Sequence, residues 1–218
     1  MGTGAPPARQ SGHGITSVVF DLGGVLIDWN PRYLYRGLFD GDDGAMERFL
    51  VTVCTPGWHY QHDLGRPMSE TCAVLAALHS EHADLIWAWR DRAEEMVAGA
   101  IEGTVELVQE LSESGTACYA LSNWPAETFW VCRQRFAFLG YFEGIVISGE
   151  EGVAKPDPET FRRLLDRFGL EPASTLVVDD YEQHLATAHL LGMRTVQFRT
   201  PEGLRRALVA QGLLPARR

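Results

Sequence analysis

Short runs of apolar and β-branched residues recur along the chain, and each run stops at glycine or polar residues. Runs of this kind are typical of strands that are buried on both faces of a parallel sheet. The pattern predicts five strands, over residues 15–20, 117–121, 144–147, 175–178 and 194–198.

Between the later strands, apolar residues recur at helical spacing. This spacing predicts helices over residues 104–114, 158–168 and 182–191, and a glycine directly follows each of them, as is common where a helix ends. Alternating strands and helices indicate parallel strands joined by right-handed crossovers. We therefore expect an α/β fold with a Rossmann-like, three-layer α/β/α core.

The interval between residues 20 and 117 breaks this alternation, because it contains no convincing strand. Apolar residues are instead found there at helical spacing, over residues 31–39, 44–53, 69–80 and 83–97. Connections of this length without structure are rare. The interval therefore predicts an α-helical cap domain inserted into the core.

The predicted organisation has three parts, which are a disordered tail over 1–14, an α/β core over 15–28 and 101–212, and a cap over 29–100. The tail lacks the apolar segment of a signal peptide, and no apolar run reaches the ~18 residues that span a bilayer. The four cysteines lack metal-binding spacing and are expected to be reduced thiols, which favours a cytoplasmic location.

Charge narrows the range of partners. The chain has 19 Lys and Arg residues against 29 Asp and Glu residues, a formal net charge of −10. Nucleic acids and anionic membranes bind clustered positive charge, so we expect neither as a partner of the chain. Lys155 is the one lysine in the sequence, and the other 18 basic residues are arginines. It is either an accident of composition or a place where a guanidinium cannot replace an ammonium.

Polar residues follow the predicted strands at the point where each strand ends. Ligands of an open parallel sheet bind beyond the carboxyl ends of its strands, so we expect these side chains to lie close together. They are Asp21 after the first strand, Ser122 and Asn123 after the second, Lys155 shortly after the third, and Asp179 and Asp180 after the fourth.

Each of these groups has a use in phosphoryl transfer. A carboxylate such as that of Asp21 can attack phosphorus and form an acyl-phosphate. Hydroxyl, backbone N–H and ammonium groups can stabilise charge on the phosphoryl oxygens, and Mg²⁺ can bridge carboxylates to a phosphate that they would otherwise repel. Taken singly, the same residues are ordinary turn formers, helix N-caps or solvated side chains, but their combination at matched strand ends favours a function.

Four segments resemble the ordered motifs of the haloacid dehalogenase-like (HAD) hydrolase superfamily. They are Val19–Leu26, Leu121–Trp124, Lys155–Pro158 and Val177–Asp180. The resemblance covers about residues 15–200 and includes a helical cap between the first two motifs. Within the superfamily, the chain is most similar to the branch that contains phosphatases of the α-glucose-1-phosphate type.

The resemblance implies an enzyme, a phosphomonoesterase that hydrolyses small phosphorylated metabolites such as sugar phosphates with the help of Mg²⁺, as a monomer or a homodimer. It implies that Asp21 is the nucleophile and that Lys155 pairs with it and with the phosphate. It also implies that Ser122 and Asn123 bind the phosphoryl group. The implied metal ligands are Asp21, the backbone carbonyl of Gly23, Asp179 and Asp180.

One position departs from the family pattern. Phosphatases of the superfamily usually carry a second Asp two residues after the nucleophile, where it acts as general acid and base, and this chain has Gly23 there. Glycine supplies a carbonyl but no proton, and acid–base help is worth about 10²–10⁴-fold in rate. The proton donor is therefore left open by the motif.

The segment over 58–66 of the predicted cap is polar and aromatic, and such cap loops face the active site in the family. His59 could supply the proton, and Arg66 could hold an anionic group of the substrate. Alternatively both are ordinary loop residues, with Arg66 paired to Asp63 or to a glutamate of the cap.

Two other functions compete with a phosphatase. A 2-haloacid dehalogenase would use Asp21 as its nucleophile without a metal, which leaves Asp179 and Asp180 without a purpose, and it would usually have Thr at the position of Val25. A weakly active or inactive binding module on the same scaffold would explain the missing acid at Gly23. The Mg²⁺-dependent phosphatase gives every group a role and is favoured.

Overall fold

The computed structural model describes residues 14–216, so that the predicted disordered tail lies, except for Gly14, outside the described residues. Among the described residues, none of the helices combines the length and the apolarity that crossing a membrane requires.

The described chain forms seven strands, which are β1 (Ser17–Phe20), β2 (Ile27–Trp29), β3 (Val97–Ala100), β4 (Ala117–Ser122), β5 (Gly144–Ile147), β6 (Thr175–Asp179) and β7 (Arg194–Gln197). Its α-helices are α1 (Arg32–Leu38), α2 (Asp43–Thr52), α3 (Pro56–Asp63), α4 (Met68–Leu78), α5 (Ala83–Asp91), α6 (Glu102–Glu113), α7 (Ala126–Arg135), α8 (Ser148–Glu151), α9 (Pro158–Phe168), α10 (Glu182–Leu190) and α11 (Pro201–Ala210).

Five of the strands form one parallel sheet in the order β5-β4-β1-β6-β7. The central strand β1 pairs in parallel with β4 on one side and with β6 on the other. This order brings the carboxyl ends of β4, β1 and β6 next to one another at one edge. The predicted α/β fold with a Rossmann-like parallel sheet is confirmed, and each of the five predicted strands is present within two residues of its expected bounds.

Helices cover both faces of this sheet. Side chains alternate between the two faces along each strand, and the apolar side chains on each face pack against helices. On one face, Val18 and Phe20 pack in a cluster with Leu107 of α6 and Leu204 of α11. On the other face, Val19 packs in a cluster with residues of α9 and α10. The core is therefore three layers deep.

A pair of short strands joins the sheet to the helices between residues 30 and 96, which we call the helical insertion. Strand β2 leads into the insertion and β3 leads out of it, and the two strands pair antiparallel with Ile27 opposite Ala100. The expectation of no strand in this interval was therefore wrong. The two strands are three and four residues long, too short to show an alternating pattern in the sequence.

The helical insertion has a hydrophobic cluster of its own, built around Tyr35, Phe49, Trp58 and Trp89. The Tyr35 hydroxyl donates a hydrogen bond to the carbonyl of Leu85 at 2.8 Å, which satisfies its buried polar end. An independent apolar cluster lets these helices pack as one body over the sheet. The exact cap boundaries at 29 and 100 stay a prediction.

Three contacts join the insertion to the core near the end of α3. A Cβ atom added to Gly65, which has a φ of +82°, would lie 2.7 Å from the carbonyl oxygen of Gly149, so the two backbones touch. The backbone N–H of Met68 donates to Glu127 Oε1 at 2.8 Å. The Tyr60 hydroxyl donates to the carbonyl of Ala154 at 3.4 Å.

We expect Gly65→Ala to destabilise the protein more than Gly115→Ala does. Both glycines have a left-handed φ, +82° and +83°, but an added Cβ at Gly115 meets nothing within 4 Å. Both variants should lose about 1–2 kcal/mol for the backbone conformation, and Gly65→Ala should lose about 1–3 kcal/mol more for the close contact. Urea unfolding of the two variants measures the difference, and equal losses would argue against close docking at Gly149.

Candidate active site

The sheet edge and the helical insertion enclose a cavity of about 1080 Å³. Asp21 lies at its floor because β1 ends at Phe20, and Asn123 and Asp180 enter from the ends of β4 and β6. The polar groups at the carboxyl ends of three neighbouring strands thus meet, as parallel strands require. On the opposite side the cavity is lined by Trp29 of β2 and by residues of the insertion, which include His59, Tyr60, Asp63, Met68 and Trp89.

Lys155 lies between two carboxylates at the centre of this site. Its Nζ is 2.9 Å from Asp21 Oδ2 and 2.6 Å from Asp179 Oδ2, and its side chain is 1% exposed. Two hydrogen bonds with Asn123 fix its backbone: the amide of Asn123 donates to the Lys155 carbonyl at 2.9 Å, and the Lys155 N–H donates to Asn123 Oδ1 at 2.8 Å. The carboxyl ends of β1, β4 and β6 and the segment after β5 are therefore tied together at one lysine residue.

The electrostatics of this trio favour a charged lysine. Burial opposes the positive charge on Lys155, but the carboxylates of Asp21 and Asp179 outweigh it and raise the lysine pKa. Burial also raises the pKa of Asp21, to about 6, against the opposing effect of Lys155. For Asp179, Lys155 and His184 together outweigh burial and lower the pKa to about 2.

The two adjacent aspartates of the fourth motif have different surroundings. Both oxygens of Asp179 are occupied, because they accept hydrogen bonds from Lys155 and from the backbone N–H of Tyr181 at 2.8 Å, and lie 3.0 and 3.1 Å from His184 Nδ1. Asp180 Oδ1, in contrast, is buried and has no hydrogen-bond partner among the described residues. A carboxylate in this state is an available cation ligand.

The donor set fits a hard divalent cation. Ligand atoms of Asp21, Asp179 and His184 lie within 4.8 Å of one another. Both oxygens of Asp179 are already occupied by hydrogen bonds, to Lys155, to His184 and to the N–H of Tyr181. We therefore favour Asp21 and Asp180 as direct ligands of the cation. The Asp180 carboxylate lies close to the backbone of Gly24, which has a φ of +74°. A Cβ atom added to Gly24 would lie 2.7 Å from Asp180 Oδ2, so the glycine makes this close contact possible.

Two residues expected to act at the phosphate lie where β4 ends. The Ser122 hydroxyl is buried and has no hydrogen-bond partner among the described residues, and Asn123, unlike Ser122, lines the cavity directly. Gly23 also lines the cavity, and an added Cβ at this position would meet only Trp124, at 3.8 Å. The Gly23 position therefore has room for a Cβ atom, which the sequence does not supply.

The segment over 58–66 differs from the expectation of a loop, since most of it belongs to α3. His59 lines the cavity, with its ring stacked on Trp29 at a centroid distance of 5.2 Å. Burial lowers the His59 pKa to about 3, so the ring is neutral and unsuited to donate a proton as an acid. Arg66 is exposed, does not line the cavity, and donates a hydrogen bond to Gln61.

A further carboxyl, that of Asp63, also lines this cavity. It is the last residue of α3, is buried, and has an Oδ1 atom without a hydrogen-bond partner among the described residues. Burial first, and the charge of Asp21 second, raise the Asp63 pKa to about 7. From the sequence, Asp63 was expected only as a possible partner of Arg66, because its place in the site depends on how α3 docks. The one signal in the sequence was an acidic residue in an aromatic segment.

Known proteins resemble this chain in sequence and in fold. A family model described as haloacid dehalogenase-like hydrolase matches residues 15–192. The sesquiterpene phosphatase astK of Aspergillus oryzae is 26% identical over 81% of this chain and 86% of its own length.

Solved structures agree on the fold. A HAD family enzyme from Bacteroides thetaiotaomicron, in complex with magnesium and inorganic phosphate, is 25% identical with a TM-score of 0.65, over 86% of this chain and 96% of that one. An L-2-haloacid dehalogenase from Xanthobacter autotrophicus is 20% identical with a TM-score of 0.58, over 92% and 85% of the two chains, and shares the fold alone.

We expect Asp63→Asn to stabilise the protein, and to do so more strongly as the pH rises. The folded protein keeps a proton on Asp63 up to a pH of about 7, whereas the unfolded chain loses it near pH 4. The wild type therefore loses stability across this window, by up to about 1.4 kcal/mol for each pH unit, and the variant does not. Urea unfolding between pH 5 and pH 8 measures the difference. The exposed carboxylate Asp84 provides the control, and Asp84→Asn should show no such trend.

Proposed function

The chain belongs to the haloacid dehalogenase-like hydrolases, and on this basis we propose that it is a Mg²⁺-dependent phosphatase that works through an aspartyl-phosphate on Asp21. One observation carries the proposal: next to the buried nucleophile, Asp180 presents a buried carboxylate oxygen with no partner among the described residues. A hydrolase that needed no cation would gain nothing from this arrangement, because an unpaired buried carboxylate is costly. The Bacteroides relative, in complex with magnesium and phosphate, supports the same assignment.

In the proposed reaction, Asp21 Oδ attacks phosphorus and the bond from phosphorus to the ester oxygen breaks. Lys155, 2.9 Å from Asp21, holds the nucleophile in place and offers positive charge to the phosphoryl oxygens. The unpartnered hydroxyl of Ser122 and the backbone N–H of Asn123 are the donors for those oxygens. Water then attacks the aspartyl-phosphate and releases phosphate and free Asp21.

The metal would be held by Asp21, Asp180 and the carbonyl of Gly23, and it would neutralise charge between the carboxylates and the phosphate. In this scheme Asp179 is a positioning residue. Its two oxygens hold Lys155 and His184, so it keeps the ammonium directed at Asp21.

The cavity also bears on the substrate. Its volume of about 1080 Å³ is at the upper limit for small-molecule sites, far more than a hexose phosphate fills. Indole rings line its walls, those of Trp29 in β2, Trp89 on the insertion, and Trp124 and Trp130 on the core. We therefore propose an ester whose organic part is large and apolar, in place of the sugar phosphates first expected. The resemblance to a sesquiterpene phosphatase supports this substrate class.

We expect the purified protein to release inorganic phosphate from alkyl phosphates in the presence of Mg²⁺. Asp21→Asn should lower turnover by at least about 10⁴-fold, because the nucleophile is lost, and EDTA should abolish turnover until Mg²⁺ is restored. A phosphate-release assay measures both effects. Chloride release from 2-chloropropionate that persists in EDTA would instead identify a dehalogenase, and no turnover of any ester would favour a binding module.

We expect kcat/KM to be at least about tenfold higher for a sesquiterpenyl monophosphate than for glucose 1-phosphate, since each buried CH₂ group adds about 0.8 kcal/mol. Trp130, which is 57% exposed at the cavity wall, allows a direct test. Trp130→Ala should raise KM for the apolar ester severalfold. The matched control is Trp87→Ala, since Trp87 lies in α5 and does not line the cavity. A higher kcat/KM for the sugar phosphate would contradict this assignment.

A further inference from the structure

Asp63 is buried at the active site in a way that gives it no structural purpose. It is 6% exposed and lines the cavity together with Asp21 and Lys155. No Lys or Arg pairs with it among the described residues. The nearest basic atom, His59 Nε2, is 3.8 Å from Asp63 Oδ1 and belongs to a ring that burial keeps neutral.

The position of Asp63 in its helix adds to this cost. Asp63 is the last residue of α3, and a carboxylate at a helix C-terminus faces the negative end of the helix dipole. Burial, the helix end and the nearby Asp21 all oppose a negative charge here. Groups that are kept despite such costs are typical of functional sites.

The site also lacks a group that its chemistry needs. Gly23 offers no proton to the leaving group, and the neutral His59 is a poor acid at physiological pH. The insertion places three carboxyls in the cavity, those of Asp63, Asp91 and Glu94. Asp63 is buried and is affected by the charge of Asp21, whereas Asp91 and Glu94 are exposed. We propose that Asp63, on α3 of the helical insertion, is the general acid and base of this site, an inference that rests on the proposed phosphatase function.

In the first step, Asp21 Oδ forms a bond to phosphorus, the bond from phosphorus to the ester oxygen breaks, and the proton of the Asp63 carboxyl passes to that oxygen. In the second step, water forms a bond to phosphorus, the bond from Asp21 to phosphorus breaks, and the water proton passes to the Asp63 carboxylate. The enzyme returns to its starting state, with the ester and water converted to an alcohol and phosphate. A pKa of about 7 for Asp63 suits both directions of proton transfer.

Docking of α3 controls the position of Asp63. The Tyr60 hydroxyl reaches the carbonyl of Ala154, next to Lys155 in the chain, and Gly65 touches the backbone of Gly149. These two contacts flank Asp63 on either side. They hold the end of α3 against the core, so that the Asp63 carboxyl stays in the cavity that Asp21 also lines.

The dependence on the leaving group tests this role. An alkoxide needs a proton to leave, whereas p-nitrophenolate does not. We expect Asp63→Asn to lower kcat/KM for 2-phenylethyl phosphate by about 10²–10⁴-fold and for p-nitrophenyl phosphate by less than about tenfold. Because the variant also lacks the base for the second step, p-nitrophenyl phosphate should give a burst of one nitrophenolate for each enzyme molecule, followed by slow turnover.

A second variant separates this role from general damage to the fold. Gly23→Asp in the Asp63→Asn background places a carboxyl where an added Cβ meets only Trp124 at 3.8 Å, and it should restore at least about tenfold of the lost kcat/KM for the alkyl ester. Asp84→Asn, on the exposed surface of α5, should leave both substrates unaffected.

Equal losses of kcat/KM on the two substrates, or no loss on either, would overturn the role of Asp63 while leaving the phosphatase intact. Failure of the wild type to release phosphate from both esters would instead remove the proposed function, and the role of Asp63 with it.

Discussion

The ion cluster of Lys155 with Asp21 and Asp179 is the interaction on which the rest of the site depends. A buried ammonium without partners would cost several kcal/mol, and this one has two carboxylates within 2.9 Å. The partners come from β1 and β6, and Asn123 after β4 fixes the lysine backbone. The sheet order therefore matters chemically, because only neighbouring strands can bring these groups to one point. The compact ammonium reaches both carboxylates from a side chain that is 1% exposed. The planar fork of an arginine has a different shape, which favours a place where a guanidinium cannot replace an ammonium over an accident of composition.

Polar atoms without partners are concentrated around the same cavity. Buried side chains normally find hydrogen bonds, and exceptions call for an explanation. Ser122, Asp180, Asp63 and His59 each hold such an atom within the described part of the chain, and all belong to the cavity or lie next to it in sequence. The simplest physical explanation is that these atoms are satisfied by substrate, cation and water during the reaction. These four groups thus lie where a ligand can use them, whereas Thr104, Thr160 and Arg205 hold other such atoms outside the cavity lining.

The sequence was sufficient for the core because the buried strands and their terminal polar residues are local patterns. The bounds of β5 and α9 follow directly from apolar runs and from Gly169 after the helix. The β2–β3 pair was missed because its strands are too short to alternate. Asp63 and Arg66 are three residues apart, yet Asp63 is buried in the cavity lining and Arg66 is exposed outside it. The docking of α3 against the core decides this difference. Properties that depend on packing between distant segments leave no periodic signal in the chain.

The position of the proton donor changes how chemistry and conformation are linked. An acid two residues after the nucleophile would be held by the core and would be present whether or not the insertion is docked. With Gly23 there, the carboxyl that can serve lies on α3, and it reaches the ester oxygen only while Tyr60 and Gly65 hold the insertion against the core. Part of the aromatic wall that would receive an apolar substrate, the indole ring of Trp89, lies on the same insertion. A substrate that fills this wall would therefore also stabilise the arrangement that brings Asp63 into place, so that binding energy from the organic part of the ester contributes to the chemical step.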